Sequence, residues 1–344
     1  MNQYYIANEH EQVTDTLPLL PRVHTTREPD YNVLGPLFGW MDPIIIKKTL
    51  EQSTQLARLP MGTMLKRAFK SPNPALNVHR RSEPVACDIV YSNTPAIDDG
   101  SVAAVLFRGL QSKVTDVYGI KYDKQFVNTL EDNIREWGSP TKLISDRAQV
   151  EISDKVKGIL RTLFIGEWQS EPHQQQQNPA ERRYQTIKNR TNVVLDRTGA
   201  PAYTWLLALQ YVCFLLNNYY DSGIGAIPLS MHTGVTIDTS MLLRFHFYQK
   251  VYFLLSETVF PSESKEGLGY MVGFSEHVGT SMCYKVLSAE TLKILHRSSL
   301  RQYNQDDLNR RVELPAGEDD DSTSNEPHIV RLISERGQTI HSGR

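Results

Sequence analysis

Cysteine is scarce in this chain of 344 residues: Cys87, Cys213 and Cys283 stand alone. No two of them have the close spacing of a zinc site, and three isolated thiols make no disulfide framework. Long apolar runs are missing as well. The most apolar stretch, Thr204 to Leu216, is too short to span a bilayer and contains Gln210, so it reads as a buried core helix. The first residues, Met1 to Val13, are polar and lack the apolar run of a secretory signal. These absences favour a nuclear or cytoplasmic protein with no signal peptide, no transmembrane segment and no membrane partner. Nor does one sign of charge dominate, since 37 Lys and Arg face 39 Asp and Glu, for a net −2.

The distribution of charge says more than the total. Nine acids and five arginines between Asp306 and Arg344 give that tail a net −4, leaving +2 over residues 1–305. Lys66, Arg67, Lys70, Arg80 and Arg81 form one basic cluster, and Arg182, Arg183, Lys188 and Arg190 another. Each is either a solvated face or a nucleic-acid contact.

Four regions follow from the patterning. Residues 1–81 read as a flexible arm and basic linker, with a short amphipathic helix over 43–58. Residues 82–222 carry an α/β pattern. Three strands (PVACDIV, SVAAVLFRGL, KVTDVYGI) precede a helix over 123–138, and TKLISD, a helix over 153–164 and EWQSEP come next. Two longer helices close the region. That order predicts a mixed five-stranded sheet covered on both faces. Residues 240–303 contain short strands separated by turn residues, which predicts a small β-barrel-like domain. Residues 304–344, with GEDDDSTSNEP, read as an acidic disordered tail.

Three acids stand out by position. Asp88 interrupts the apolar first strand, where an uncompensated charge is costly. Asp146 ends the fourth strand in LISDRA, and Glu181 lies in the first turn of the helix opening at NPAERR. Carboxylates from two strand ends and a helix start can converge. Such a cluster repels itself unless cations occupy it. Oxygen ligands suit Mg²⁺ or Mn²⁺, and two such ions can clamp an in-line phosphodiester displacement. Each acid also has a plain structural reading. Asp88 can be a strand-end charge and Asp146 a turn residue, while Asn178, Pro179 and Glu181 fit the N-cap, N1 and N3 of a capping box.

The segment WQSEPHQQQQNPAERRYQTIKNRTNVVLDRTGAPAYTWLLALQYVCFLLNNYY resembles the catalytic-glutamate region of copia-type LTR retrotransposon integrases, members of the RNase H-like superfamily. TKLISDRAQVE is similar to the strand that bears their second aspartate. The spacings agree, with 58 positions from Asp88 to Asp146 and 35 from there to Glu181. GYMVGFSEHVGTSMCYKVLSAETLKILHRSSL resembles the small β-domain that follows their core. The resemblance spans about residues 80–300. It implies an RNase H-like fold, with Asp88, Asp146 and Glu181 as catalytic residues and metal ligands for two Mg²⁺ or Mn²⁺ ions. The implied activity is DNA 3′-end processing and strand transfer. The partners would be double-stranded DNA, both element ends and target, with a homo-oligomer as the active form.

Lys188 matches a lysine that contacts element-end DNA in related integrases. Gln185 and Arg182 join it as candidate DNA contacts, and a plain solvated lysine is the competing reading of Lys188. On that helix 181, 185, 188 and 192 share one face, while Ala180, Tyr184, Ile187, Thr191 and Val194 form the packed side. Tyr203, Trp205 and Tyr211 read as core rather than as a base-stacking platform. The QQQQ run reads as a polar turn, and the ten histidines show no ligand spacing. The chain departs from the family pattern in having Arg147-Ala148 and Asn178-Pro179 where Asn-Gly is usual. No His/Cys zinc module precedes the core. A fragment or decayed copy acting only as a nucleic-acid-binding or interaction protein is thus one alternative, and an RNase H-like nuclease is another.

Overall fold

The computed structural model describes residues 29–57, 72–145, 153–169, 179–255, 266–279, 282–304, 332–333 and 339–340. In chain order, a 3₁₀ turn at Gly35–Phe38 precedes α1 (Pro43–Glu51) and the single turn α2 (Pro74–Asn77). Then come β1 (Val85–Tyr91), β2 (Ala103–Gly109), β3 (Thr115–Ile120), α3 (Phe126–Trp137), β4 (Lys142–Ser145), α4 (Asp154–Thr162) and β5 (Gly166–Gln169). Two long helices follow, α5 (Pro179–Thr198) and α6 (Trp205–Asn218), with the short α7 (Pro228–Thr233) behind them. The β-rich region holds β6 (Lys250–Leu254), β7 (Glu266–Phe274), β8 (Tyr284–Ser288), β9 (Ile294–Arg297) and β10 (Leu300–Gln302). The two-residue strands β11 (Leu332–Ile333) and β12 (Thr339–Ile340) pair with each other.

The expected mixed sheet is present. Its order is β3-β2-β1-β4-β5, antiparallel from β3 to β1 and parallel from β1 to β5. Alternation divides its side chains between two cores. On one face Val85, Cys87, Val105, Phe107 and Leu143 pack on Phe126, Leu130 and Ile134 of α3 and on Val156 and Leu160 of α4. On the other, Ala86, Val90, Leu106, Val117 and Ile144 pack on Ala180, Ile187 and Val194 of α5 and on α6.

The second unit is a five-stranded antiparallel sheet of order β10-β6-β7-β8-β9, in the place expected for the small β-domain. The last strand read from the sequence is two strands here, divided at Ser298 and Ser299. Helix α6 lies between the two sheets, and this explains its all-round apolar character. Eleven of its fourteen residues are buried. Phe214 and Tyr211 stack on Phe274 of β7, at ring-centroid distances of 4.4 and 5.4 Å. The helix expected over 43–58 ends at Glu51, and the residues around it belong to the core. Phe38 and Ile46 are fully buried, and Phe38 stacks on Tyr219 at 5.4 Å.

A buried polar knot holds the approach to β1. Glu83 accepts from Nε of Arg81 at 2.7 Å, from Oγ of Ser112 at 2.6 Å, and from the N–H groups of Gln111 and Ser112 at 2.8 Å each. Nδ1 of His232 on α7 stands 3.7 Å away. Burial pushes the Glu83 carboxyl up, but His232, Arg81 and Ser112 outweigh it and hold it well below the usual carboxylate range.

Candidate functional site

Asp88 sits on β1, the middle strand of the first sheet, opposite Leu106 of β2. Two-residue alternation puts it on the face of Ala86 and Val90, which is the face covered by α5. It is half-buried, and the N–H of Ile89 donates to its Oδ1 at 2.9 Å. A carboxylate here interrupts an otherwise apolar surface. That is the local cost noted from the sequence.

Glu181 stands in the first turn of α5 and is half-buried. The helix forms where the stripe reading placed it. Ala180, Ile187 and Val194 are fully buried, Thr191 is buried and Tyr184 half-buried. The opposite face carries the candidate DNA contacts, and Arg182, Gln185 and Lys188 are all exposed. Helix α5 contacts both β1 and β2, so Asp88 and Glu181 lie on elements that pack against each other. Asp146 lies outside the described residues, as does Asn178, the proposed N-cap. Among the described residues no group of three acidic, histidine or cysteine side chains forms a metal cluster.

Tyr184 connects the two sets of residues. Burial and then the charge of Asp88 raise its phenol above the ordinary tyrosine value, so the ring lies within electrostatic reach of that carboxylate. Nζ of Lys188, one turn further along, lies 5.9 Å from the centre of the same ring, a cation–π contact. Sequence reading assigned Tyr184 to packing alone. The missed signal was its place three residues after Glu181 and four before Lys188, within reach of both on a helix.

The two basic clusters turn out to be mixed. Of the first, Lys66, Arg67 and Lys70 lie outside the described residues. Arg80 donates to Oγ of Ser139 at 3.0 Å and to the carbonyls of Leu163 and Phe164, and Arg81 is buried against Glu83. In the second, Arg182 and Lys188 are exposed, Arg190 is half-buried and Arg183 is buried. Arg183 occupies a stripe position between Ala180 and Ile187, a pattern visible in the sequence but masked there by its charged neighbours. The core reading of the three aromatics holds for Tyr211 and Trp205 but not for Tyr203. Tyr211 is buried and Trp205 half-buried, while Tyr203, just before the helix, is 37% exposed.

Among the described residues no helix is long and apolar enough to cross a membrane. No family model and no curated protein matches the chain. Solved structures do match. A chain of the simian T-cell lymphotropic virus intasome in complex with PP2A regulatory subunit B56 gamma is 11% identical, with a TM-score of 0.37, over 76% of this chain and 98% of that one. The catalytic core domain of BIV integrase is 16% identical, with a TM-score of 0.35, over 44% of this chain and 95% of that one. The catalytic core domain of HTLV-2 integrase in complex with magnesium is 15% identical, with a TM-score of 0.36, over 45% and 97%. Likenesses at these identities and TM-scores assign the chain neither a family nor an activity.

Proposed function

We propose that this chain is an integrase-type polynucleotidyl transferase of the copia kind, which trims DNA 3′ ends and joins them to target DNA. The observation that carries the reading is the pairing of Asp88 with α5. A half-buried carboxylate on the middle strand faces the helix whose first turn bears Glu181, and Tyr184, three residues after Glu181, feels the charge of Asp88. A second observation supports Asp146 as the third member. Ala86 and Ile144 are parallel partners on the α5 face, and Asp88 and Asp146 each follow their partner by two residues.

The donors suit the group they would hold. Carboxylate oxygens are hard ligands, as Mg²⁺ and Mn²⁺ require, and among the described residues Glu181 has no hydrogen bond or ion pair to compete for its oxygens. Asp88, Asp146 and Glu181 would hold two such ions. When bound, these ions polarise phosphoryl oxygens and favour the deprotonated nucleophile. The chain's own residues orient and neutralise. Lys188 and Arg182 would meet the DNA backbone on the exposed face, with Gln185 between them, and phosphate contacts of this kind are salt-sensitive. Tyr184 would hold Lys188 beside the carboxylates through its ring.

The chemistry is two in-line displacements at phosphorus. Water attacks the phosphorus near the DNA end and releases the terminal nucleotides. The 3′-hydroxyl so exposed then attacks a target phosphodiester and displaces the target strand's own 3′-oxygen. No covalent protein–DNA intermediate is required. The test is a joining assay with Mn²⁺ and DNA carrying the element's own ends, run with the full chain. Joined products are expected. Cleavage without joining would make the chain an RNase H-like nuclease, and DNA binding without either would make it an inert binding protein.

A further inference from the structure

The first turn of a helix is weakly held, because its leading N–H groups have no partner within the helix. Glu181 stands in that turn of α5. Besides the packing of Ala180, a hydrogen-bonded link from the start of the helix to the sheet runs through Arg183, which is 8% exposed. Its Nε donates to Oγ1 of Thr115 at 3.1 Å, and Thr115, the first residue of β3, is fully buried. Thr115 is itself held on three sides. Its N–H donates to Oδ1 of Asn217 at 2.8 Å, its carbonyl accepts from Nδ2 of Asn217 at 2.7 Å, and its hydroxyl donates to the carbonyl of Lys113 at 3.0 Å. Asn217 is buried near the end of α6. One chain of hydrogen bonds thus joins α5, β3 and α6.

A guanidinium at this position is costly. Nη2 of Arg183 is buried with no hydrogen-bond partner, and burial, followed by the charge of Arg108, pulls its pKa down to about 10. An apolar side chain would continue the stripe between Ala180 and Ile187 without leaving a buried donor unpaired. Arg183 and Glu181 are two residues apart and so point to nearly opposite sides of the helix. Pinning one fixes the turn without touching the other.

We propose that Arg183 is a positioning residue, and that the Arg183–Thr115–Asn217 chain fixes the first turn of α5 and with it the place of Glu181 beside the Asp88 strand. The inference rests on the reading of Glu181 as a metal ligand.

The test compares Thr115→Val, Thr115→Ser, Arg183→Met and Glu181→Gln with the wild-type chain, by amide hydrogen exchange, Mn²⁺ titration and thermal melting. Loss of the bond in Thr115→Val or Arg183→Met is expected to speed exchange at Arg183 to Thr186 about tenfold and to weaken Mn²⁺ binding by about the same factor. The later turns of α5 keep their protection, and the melting temperature of Arg183→Met does not fall. Thr115→Ser, which keeps the hydroxyl, behaves as wild type. A role in packing alone would instead make Mn²⁺ affinity follow melting temperature. Unchanged exchange, a Thr115→Ser variant as impaired as Thr115→Val, or full Mn²⁺ affinity in Arg183→Met beside a lost one in Glu181→Gln would each overturn the proposal. If Glu181→Gln binds Mn²⁺ as wild type does, the ligand reading of Glu181 fails and the positioning role falls with it, whatever the exchange pattern shows.

Discussion

Replacing Glu83 with glutamine preserves the shape of the side chain and removes a charge that is fully engaged. The carboxylate accepts four hydrogen bonds of 2.6 to 2.8 Å, from Arg81, Ser112 and two backbone N–H groups. A glutamine amide turned toward any of these donors would oppose N–H to N–H, and Arg81, whose side chain is 2% exposed, would keep its charge with no counter-charge. Breaking one side of a buried pair costs about 3–5 kcal/mol. The pH dependence has a definite sign. Folded Glu83 titrates below its ordinary value of 4.5, so its contribution is complete above that pH and is lost as pH falls toward the folded value. Urea unfolding of wild type and Glu83→Gln should show the full gap at neutral pH and a narrowing gap below pH 4.5. Gly109→Ala probes the same knot without touching a charge, because a Cβ there would collide with Nη2 of Arg81 and Oε1 of Glu83. Its expected cost is about 1–3 kcal/mol. A Glu83→Gln gap under about 1 kcal/mol at neutral pH, or one that does not shrink in acid, would refute the reasoning.

Other perturbations test the remaining layers. A Cβ on Gly119 would stand 2.6 Å from Cδ2 of Leu206 and 2.7 Å from Oγ of Ser101. Gly119→Ala should therefore lift α6 from β3 and cost about 1–3 kcal/mol in thermal or urea unfolding. Phe38→Ala should cost about 3 kcal/mol or more, and a negligible loss would mean that the segment before α1 adds little to the core. Lys188→Ala should lower the slope of DNA affinity against salt by about one unit while leaving unfolding unchanged. An unaltered slope would return Lys188 to the solvated surface.

Periodicity made much of this molecule legible. The first strands of the sheet, packed on both faces, show as short apolar runs, and the stripe of α5 follows from three- and four-residue spacing, since that helix buries one continuous face. The shared core around α6 was readable only in part. Its run from Trp205 to Asn218 announces burial, but not that two sheets bury it from opposite sides. Phe38 was missed because one aromatic in a turn has no period. Arg81 and Arg183 were read as members of basic clusters, whereas the partners that allow their burial, Glu83 and Thr115, come from pairings that local sequence does not express. Tyr184 was seen as packing, and its second role depends on Asp88, 96 positions earlier. Asp88, Glu181 and the exposed Lys188 lie on the elements assigned to them, while Asp146 lies outside the described residues.

The central claim is that three carboxylates share divalent ions, and Mn²⁺ titration of the full chain tests it most directly. Wild type should bind two ions, and Asp88→Asn, Asp146→Asn and Glu181→Gln should each lose at least one while keeping the wild-type circular dichroism. A variant that binds Mn²⁺ as wild type does would remove that residue from the site, and three such variants would contradict the account.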